Sequence, residues 1–159
     1  MRAAFFLILI ASPAQAACVD GQEIFSCQIG ANILQICNSK GALIYSFGPE
    51  GKPDLTIAEP LETVDYTPWP GIGGDIWETV TFSNAGVSYE VWTSVSRDPE
   101  ATIGRQGGVR VTEGETTLAE LKCNPDSAGF LDSIYDAKIA VGQCWNFETK
   151  RWADTCPDG

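Results

Sequence analysis

Residues 75–95 read DIWETVTFSNAGVSYEVWTSV, and this stretch decides the fold class. Two runs that alternate with a period of two residues, Asp75–Phe82 and Val87–Val95, flank a turn near Asn84-Ala85-Gly86. Alternation on both sides of a small, glycine-containing turn is typical of an antiparallel β-hairpin. The sequence therefore predicts two paired strands here.

Similar alternating runs continue in both directions along the chain. They are Glu23–Ile29, Ile33–Cys37, Ala42–Phe47 and Leu55–Glu59 before the hairpin, and Val109–Thr112 and Thr116–Cys123 after it. Residues 60–74 interrupt the pattern with three prolines and three glycines, and we expect a long loop there because proline cannot donate to a strand ladder. We predict a mainly β protein of about eight antiparallel strands, arranged as one barrel or closed sandwich that hides its sheet edges.

The period of the pattern changes after Cys123. Asn124-Pro125-Asp126-Ser127 is typical of a helix start. Apolar and amphipathic residues then follow at helical spacing, namely Phe130, Leu131, Ile134, Tyr135 and Lys138. We expect one short helix that Gly142 ends, and a tail from Cys144 to Cys156. The domain would then consist of a β meander, 17–123, and a helix plus cysteine-linked tail, 124–159.

The first residues resemble a secretory signal peptide. Arg2 precedes the apolar run Ala3–Ala11, and Ala14-Gln15-Ala16 places small residues at a cleavage site. The apolar run is shorter than the roughly 20 residues that span a bilayer, and nothing after residue 17 reads as a membrane segment. We predict a signal peptide at 1–16 and a periplasmic or secreted domain at 17–159, with lipid attachment at Cys18 as the alternative.

The chain has six cysteines and no histidine. An even number of cysteines in an exported chain predicts disulfides for all of them: Cys18, Cys27, Cys37, Cys123, Cys144 and Cys156. Cys144 and Cys156 are close in sequence, and we expect them to pair with each other. No C-x-x-C pair occurs, so a structural zinc site is not expected, and we predict neither metal nor cofactor.

Acidic residues outnumber basic ones, with 21 Asp+Glu, 10 Lys+Arg and a formal net charge of −11. This balance argues against a nucleic acid partner, because a phosphate-facing surface must be basic. It is compatible with a cationic protein partner, since opposite charge speeds encounter, and equally with solubility alone.

The absence of histidine excludes a Ser-His-Asp triad and a Cys-His pair. Paired carboxylates remain as a catalytic option, and Asp75, Glu78 and Glu90 lie on neighbouring predicted strands. A glycosidase needs two carboxyl groups about 5–9.5 Å apart. We expect no catalytic site and keep a carboxylate-dependent hydrolase as the less favoured alternative.

Residues 82–89 form a turn of small residues flanked by hydroxyl groups. Here the sequence resembles the membrane-bound and periplasmic inhibitors of c-type lysozyme, whose signature runs Ser-x-Ser-Gly-x-x-Tyr. Ser83, Gly86 and Tyr89 match that signature, and Ala85 stands where the family has its second Ser. The family's opening and closing segments resemble Phe25-Ser26-Cys27 and Leu121-Lys122-Cys123. The resemblance implies a small exported β-barrel that inserts a loop into a lysozyme's cleft.

Trp69 is a second candidate for partner contact. It lies in Tyr66-Thr67-Pro68-Trp69-Pro70, and Trp is a typical interface anchor, although it could instead fold back to cap an open barrel end. Gly86 and Tyr89 also have a structural alternative, an ordinary β-turn whose Gly supplies positive φ and whose Tyr faces the core. In that case the chain is a non-catalytic envelope domain that binds an unknown ligand or serves a structural role.

Overall fold

The computed structural model describes residue 18 and residues 21–156. The predicted signal peptide, 1–16, lies outside the described residues. The strands in chain order are β1 (Gln22–Ile29), β2 (Asn32–Ser39), β3 (Ala42–Pro49), β4 (Leu55–Pro60), β5 (Asp65–Thr67), β6 (Asp75–Asn84), β7 (Val87–Ser96), β8 (Gln106–Glu113), β9 (Thr116–Lys122), β10 (Cys144–Asn146) and β11 (Arg151–Ala153). The helix α1 spans Ser133–Ala140.

The strands form antiparallel meanders in which sequence neighbours pair. Strands β1 to β4 form a first sheet, β5 to β9 a second sheet, and β10 pairs with β11 in a separate hairpin. The prediction of a mainly β, antiparallel fold is confirmed. Of the two predicted arrangements, a barrel or a closed sandwich, the barrel is wrong, because the described strands belong to separate sheets.

The break between the two main sheets lies at residues 60–64. The N–H groups of Thr63 and Val64 both donate to the carbonyl oxygen of Pro60, which turns the chain away from β4. Strand β5 then pairs with β6 rather than with β4. The predicted long loop therefore contains a short strand, β5. This strand lies between Pro60 and Pro68, so neither proline has to donate a hydrogen bond to the ladder.

The two sheets pack against each other around one core. Tyr45 of the first sheet lies with its ring centroid 5.4 Å from Phe82 and 5.6 Å from Tyr89 of the second. Alternate residues of strands such as β6 and β7 point into this core, as the period of two predicted. The fully buried members include Phe25, Leu34, Ile36, Leu43, Val80, Val91 and Val109.

The segment that follows β9 joins the two sheets. Asn124 N–H donates to Gln28 O, and Gly129 N–H donates to Ser26 O, so this segment covers the outer edge of β1. The Cys27–Cys123 disulfide fixes the same junction. An unpaired strand edge is a template for association with other chains, and this crossing removes one such edge.

The helix begins later than predicted. Asp126 adopts a φ of 60°, and Ser127 N–H donates to Asn124 O, so residues 124–127 form a turn. Phe130 and Leu131 therefore precede the helix instead of lying on it. Its end agrees with the prediction, because Gly142 adopts a φ of 90° just beyond it.

All six cysteines form disulfides, as predicted: Cys18–Cys37, Cys27–Cys123 and Cys144–Cys156. The local Cys144–Cys156 pairing is confirmed. Three disulfides are typical of proteins that fold in an oxidising compartment. Within the described residues, no helix has the length and apolar character needed to cross a membrane.

Candidate functional site

The tip of the β6–β7 hairpin is the site that the sequence resemblance selects. Asn84 pairs with Val87, so Ala85 and Gly86 alone make the turn, with φ values of 50° and 85°. Positive φ at both central residues defines a type I′ turn, whose twist matches that of paired strands. The residues at 83–86 are exposed and none is larger than Asn. The tip is therefore a narrow projection at the end of the sheet.

Two contacts position this tip on the body of the protein. Ser83 N–H donates to Glu59 Oε1 over 2.6 Å, which ties the end of β6 to β4 of the other sheet. Tyr89 is only partly exposed, and its ring packs against Tyr45 in the core. Ser83 and Gly86 thus lie at the surface, whereas Tyr89 supports the hairpin from inside.

The surroundings of the tip are acidic. Val87 pairs with Glu113, so the neighbouring β8–β9 turn at Gly114-Glu115 lies at the same end of the sheet. Both Glu113 and Glu115 are exposed. A cationic surface approaching the tip would therefore meet carboxylates beside it.

Trp69 lies at the opposite end of β6. Its indole Nε1–H donates to Ile72 O over 3.0 Å, and the Arg97 guanidinium lies 5.2 Å from its ring centroid. Ten residues of β6 separate the loop holding Trp69 from the tip, a distance of about 30 Å. The structure brings Ser83 and Gly86 together and places Trp69 apart from them.

The three candidate carboxylates are also separated. Glu78 points into the core, where its Oε1 accepts a 2.5 Å hydrogen bond from the Tyr66 hydroxyl. Glu90 lies on the outer face and pairs with Arg110 at 2.6 Å. Glu90 lies opposite Thr81, which is six residues along β6 from Asp75. Glu90 and Asp75 are therefore about 20 Å apart, farther than the two carboxyl groups of a glycosidase.

The environment of Glu78 favours its neutral form. Burial raises the pKa of this carboxyl, and the nearby Asp132 raises it further. Hydrogen bonds from the Tyr66 hydroxyl and from the Leu131 backbone act in the opposite direction, because they favour the carboxylate. Glu78 joins β6 to the segment before α1 and has no second carboxyl on its face of β6.

A groove that the sequence did not predict lies on the outer face of the second sheet. The loop at 97–105 passes over the ends of β7 and β8 and leaves two adjoining pockets of about 250 and 580 Å³. Both pockets share Trp92, Ile103, Gly104 and Gln106 in their lining, and together they are called the Trp92 groove below. Residues 97–107 contain no motif that predicts a groove. The one signal in the sequence is that Trp92 and Ser94 share a face of their strand.

Two arginines anchor the loop over this groove. Arg97 donates from its backbone N–H to Gly74 O and from its guanidinium to Gly73 O, at 2.9 and 3.0 Å. At the other end, Arg105 donates to Ala128 O over 3.0 Å and lies over the Phe130 ring. The residues between these anchors are therefore held as an arch.

No group of three or more His, Cys, Asp or Glu side chains that could hold a metal ion occurs in the described residues. Comparison of the chain with protein-family models, with curated proteins and with solved structures finds no match.

Proposed function

We propose that this chain is an exported protein-binding module that inserts the tip of its β6–β7 hairpin into the cleft of a cationic hydrolase of the lysozyme kind. The observation that carries the proposal is the exposed type I′ turn at Ala85-Gly86, which is narrow and fixed to the protein behind it. The three disulfides support a site of action in an oxidising space such as the periplasm or the exterior.

A rigid tip suits insertion because little conformational freedom is lost on binding. Tyr89 and the Ser83–Glu59 hydrogen bond hold the hairpin in place before any partner arrives. Small side chains at the turn allow the backbone to approach the floor of a substrate cleft. The tip then blocks the cleft without any chemistry of its own.

Charge supports the choice of a cationic partner. The chain carries a formal net charge of −11, and Glu113 and Glu115 lie beside the tip. Complementary charge raises association rates and is weakened by salt. Inhibition should accordingly weaken as ionic strength rises.

The direct test is the turnover of a c-type lysozyme with and without the purified protein. Ala85→Ser restores the hydroxyl of the resembled signature, and one hydrogen bond to a charged group is worth about 1.5–3 kcal/mol. Inhibition should strengthen about tenfold or more. Asn84→Trp broadens the tip and should abolish inhibition.

Matched controls come from the β1–β2 turn, where Ala31 is also exposed beside a glycine. Ala31→Ser and Ala31→Trp should leave inhibition unchanged. If neither the parent protein nor Ala85→Ser slows a c-type lysozyme at high micromolar concentration, the proposal fails. The chain would then be better regarded as a non-catalytic envelope domain.

A further inference from the structure

The Trp92 groove has the features of a binding site that is separate from the hairpin tip. Its larger pocket lies over the outer face of β6 to β8, at the end of the sheet opposite Ala85 and Gly86. The smaller pocket continues past Gly104 toward the segment after β9. A ligand could therefore occupy the groove while the tip is engaged with a partner.

The floor of the groove is aromatic. Trp92 lies opposite Thr79 and alternates with the buried residues Val91 and Thr93, so its indole belongs to the outer face. Trp92 lines both pockets. A flat ring at the centre of a groove provides a surface on which the C–H face of a sugar ring can stack.

The walls of the larger pocket are polar but mostly uncharged. Hydroxyl groups come from Ser94, Ser96 and Thr102, and an amide comes from Gln106. Hydroxyl and amide groups both donate and accept hydrogen bonds, as sugar hydroxyls do. The two carboxylates of this pocket, Asp75 and Glu100, accept hydrogen bonds and disfavour anions. An apolar or anionic ligand is therefore poorly matched to this wall.

Two side-chain donors of the groove lining lack partners. The Trp92 indole N–H and the Arg105 Nε–H are buried and have no hydrogen-bond partner among the described residues. Unsatisfied buried donors are costly, so these side chains would gain from any rearrangement that gives the two N–H groups an acceptor. Hydroxyl and acetamido oxygens of a saccharide are acceptors of this kind.

The arch over the groove is arranged before any ligand binds. Arg97 and Arg105 fix its two ends, and Ala101 N–H donates to Asp98 O in a turn between them. A covered cleft with fixed walls suits a ligand that gains affinity from several weak, directed contacts.

We propose that the Trp92 groove binds an uncharged oligosaccharide, with Trp92 stacking on a sugar ring and Ser94, Ser96 and Gln106 bonding its hydroxyls. The proposal concerns binding and assigns no reaction to the Asp75 and Glu100 carboxylates of the groove. It would let an exported protein attach to glycans while its hairpin tip is free.

The test uses the disulfide-bonded protein, with calorimetry and ligand-observed NMR on the N-acetylglucosamine tetramer and maltotetraose. Saccharide concentrations of up to about 10 mM detect dissociation constants of about 1 mM. At least one saccharide should bind. Trp92→Ala should weaken that binding about tenfold or more, which is typical when a central Trp is removed.

Trp77→Ala is the matched control. Trp77 lies on the same outer face, opposite Ser94, but does not line the groove, so its loss should change saccharide affinity less than about twofold. Gln106→Ala provides a second groove variant in case Trp92→Ala does not fold, and it should weaken binding several-fold. Asn84→Trp should bind saccharide as the parent protein does, which separates this site from the proposed hairpin function.

Two results would overturn the proposal. One is the absence of binding by both saccharides. The other is binding that Trp92→Ala and Gln106→Ala leave unchanged.

Spermidine tests whether the groove binds cations instead. The saccharide proposal is rejected if spermidine binds, if its affinity falls in Asp75→Asn and Glu100→Gln, and if no saccharide binds. The groove is then a cation site.

Discussion

The two main sheets and the C-terminal segment 124–156 are stabilised by different physics. The sheets share a large apolar core in which Phe25, Tyr45 and Phe82 are almost completely buried. The C-terminal segment buries few apolar side chains, chiefly Leu131 and Ile134. Tyr135 and Trp152 pack partly buried against the same core, and hydrogen bonds such as that from Gly129 N–H to Ser26 O join the segment to the sheets. A short appended segment cannot form a core of its own and is held by a few specific interactions.

Lys138 is the centre of those interactions. Only 1% of the residue is exposed, and its Nζ donates to Leu61 O at 2.8 Å and to Gln143 Oε1 at 3.1 Å. Burial lowers the pKa of this ammonium group. The Trp152 ring centroid lies 5.2 Å from Nζ, and its indole N–H donates to Tyr66 O. One helical lysine therefore links α1 to the segment between the two sheets.

The largest effect that separates the two regions should come from the disulfides. Cys27–Cys123 joins β1 to the end of β9 across 96 residues, whereas Cys144–Cys156 spans 12 residues within the tail. Restriction of the unfolded chain predicts losses of about 4–5 kcal/mol for Cys27→Ala with Cys123→Ala, and about 3 kcal/mol for Cys144→Ala with Cys156→Ala. Urea unfolding of both double variants measures the difference.

The burial of Cys27 should widen the difference in stability between the two double variants, since replacing Cys27 also removes core contacts. An equal loss of stability in the two double variants would contradict the view that the junction holds the sheets together and the tail bridge acts locally. Near-UV circular dichroism distinguishes a locally altered tail from a disturbed core, because Trp145 and Trp152 lie in the tail.

A smaller loss is expected for Lys138→Met. Methionine keeps most of the side-chain volume but leaves the carbonyl of Leu61 and the amide oxygen of Gln143 without their buried donor. The expected cost is about 1–3 kcal/mol in the free energy of unfolding. Lys52→Met, at an exposed lysine, should change stability by less than about 0.5 kcal/mol. A Lys138→Met protein as stable as the parent would show that apolar packing alone holds the helix.

The sheets were predictable because strand alternation is a local property. Each run from Glu23 to Cys123 carries its own period of two, and the turns between runs contain residues suited to positive φ. Separation into two sheets was not predictable, because it depends on the Pro60–Val64 turn and on which strand β5 meets. Partner choice between strands is a long-range property that no single run contains.

The C-terminal segment was harder for the same reason. The helical spacing from Phe130 to Lys138 is real, but tertiary contacts hold 124–129 along the edge of β1 and delay the helix to Ser133. The spacing also predicted Lys138 on the apolar side of the helix. It did not reveal that carbonyl oxygens accept hydrogen bonds from the Lys138 ammonium group. Likewise, the tip residues Ser83 and Gly86 could be selected by resemblance, whereas the Trp92 groove needs the arch that Arg97 and Arg105 anchor.

The finest test of the comparison concerns Glu78, a buried polar residue through which the second sheet contacts the C-terminal segment. Because burial raises the pKa of Glu78 in the folded protein, the folded state binds its proton more tightly than the unfolded chain does. Stability from this group is complete below the unfolded value near 4.5 and is lost as pH rises toward the raised folded pKa. Glu78→Gln should remove that decline, so the variant should gain stability relative to the parent as pH rises above the unfolded value near 4.5.

Taking the difference in unfolding free energy between the two proteins at each pH cancels the titration of the other carboxyl groups. Glu115→Gln, in an exposed turn, controls for the loss of one acidic charge. If the difference between Glu78→Gln and the parent stays constant with pH, the hydrogen bonds from the Tyr66 hydroxyl and the Leu131 N–H compensate fully for burial and for the nearby Asp132. If the parent gains stability over Glu78→Gln as pH rises, those two hydrogen bonds outweigh burial, and the junction between the sheet and the C-terminal segment is stabilised by the charged form.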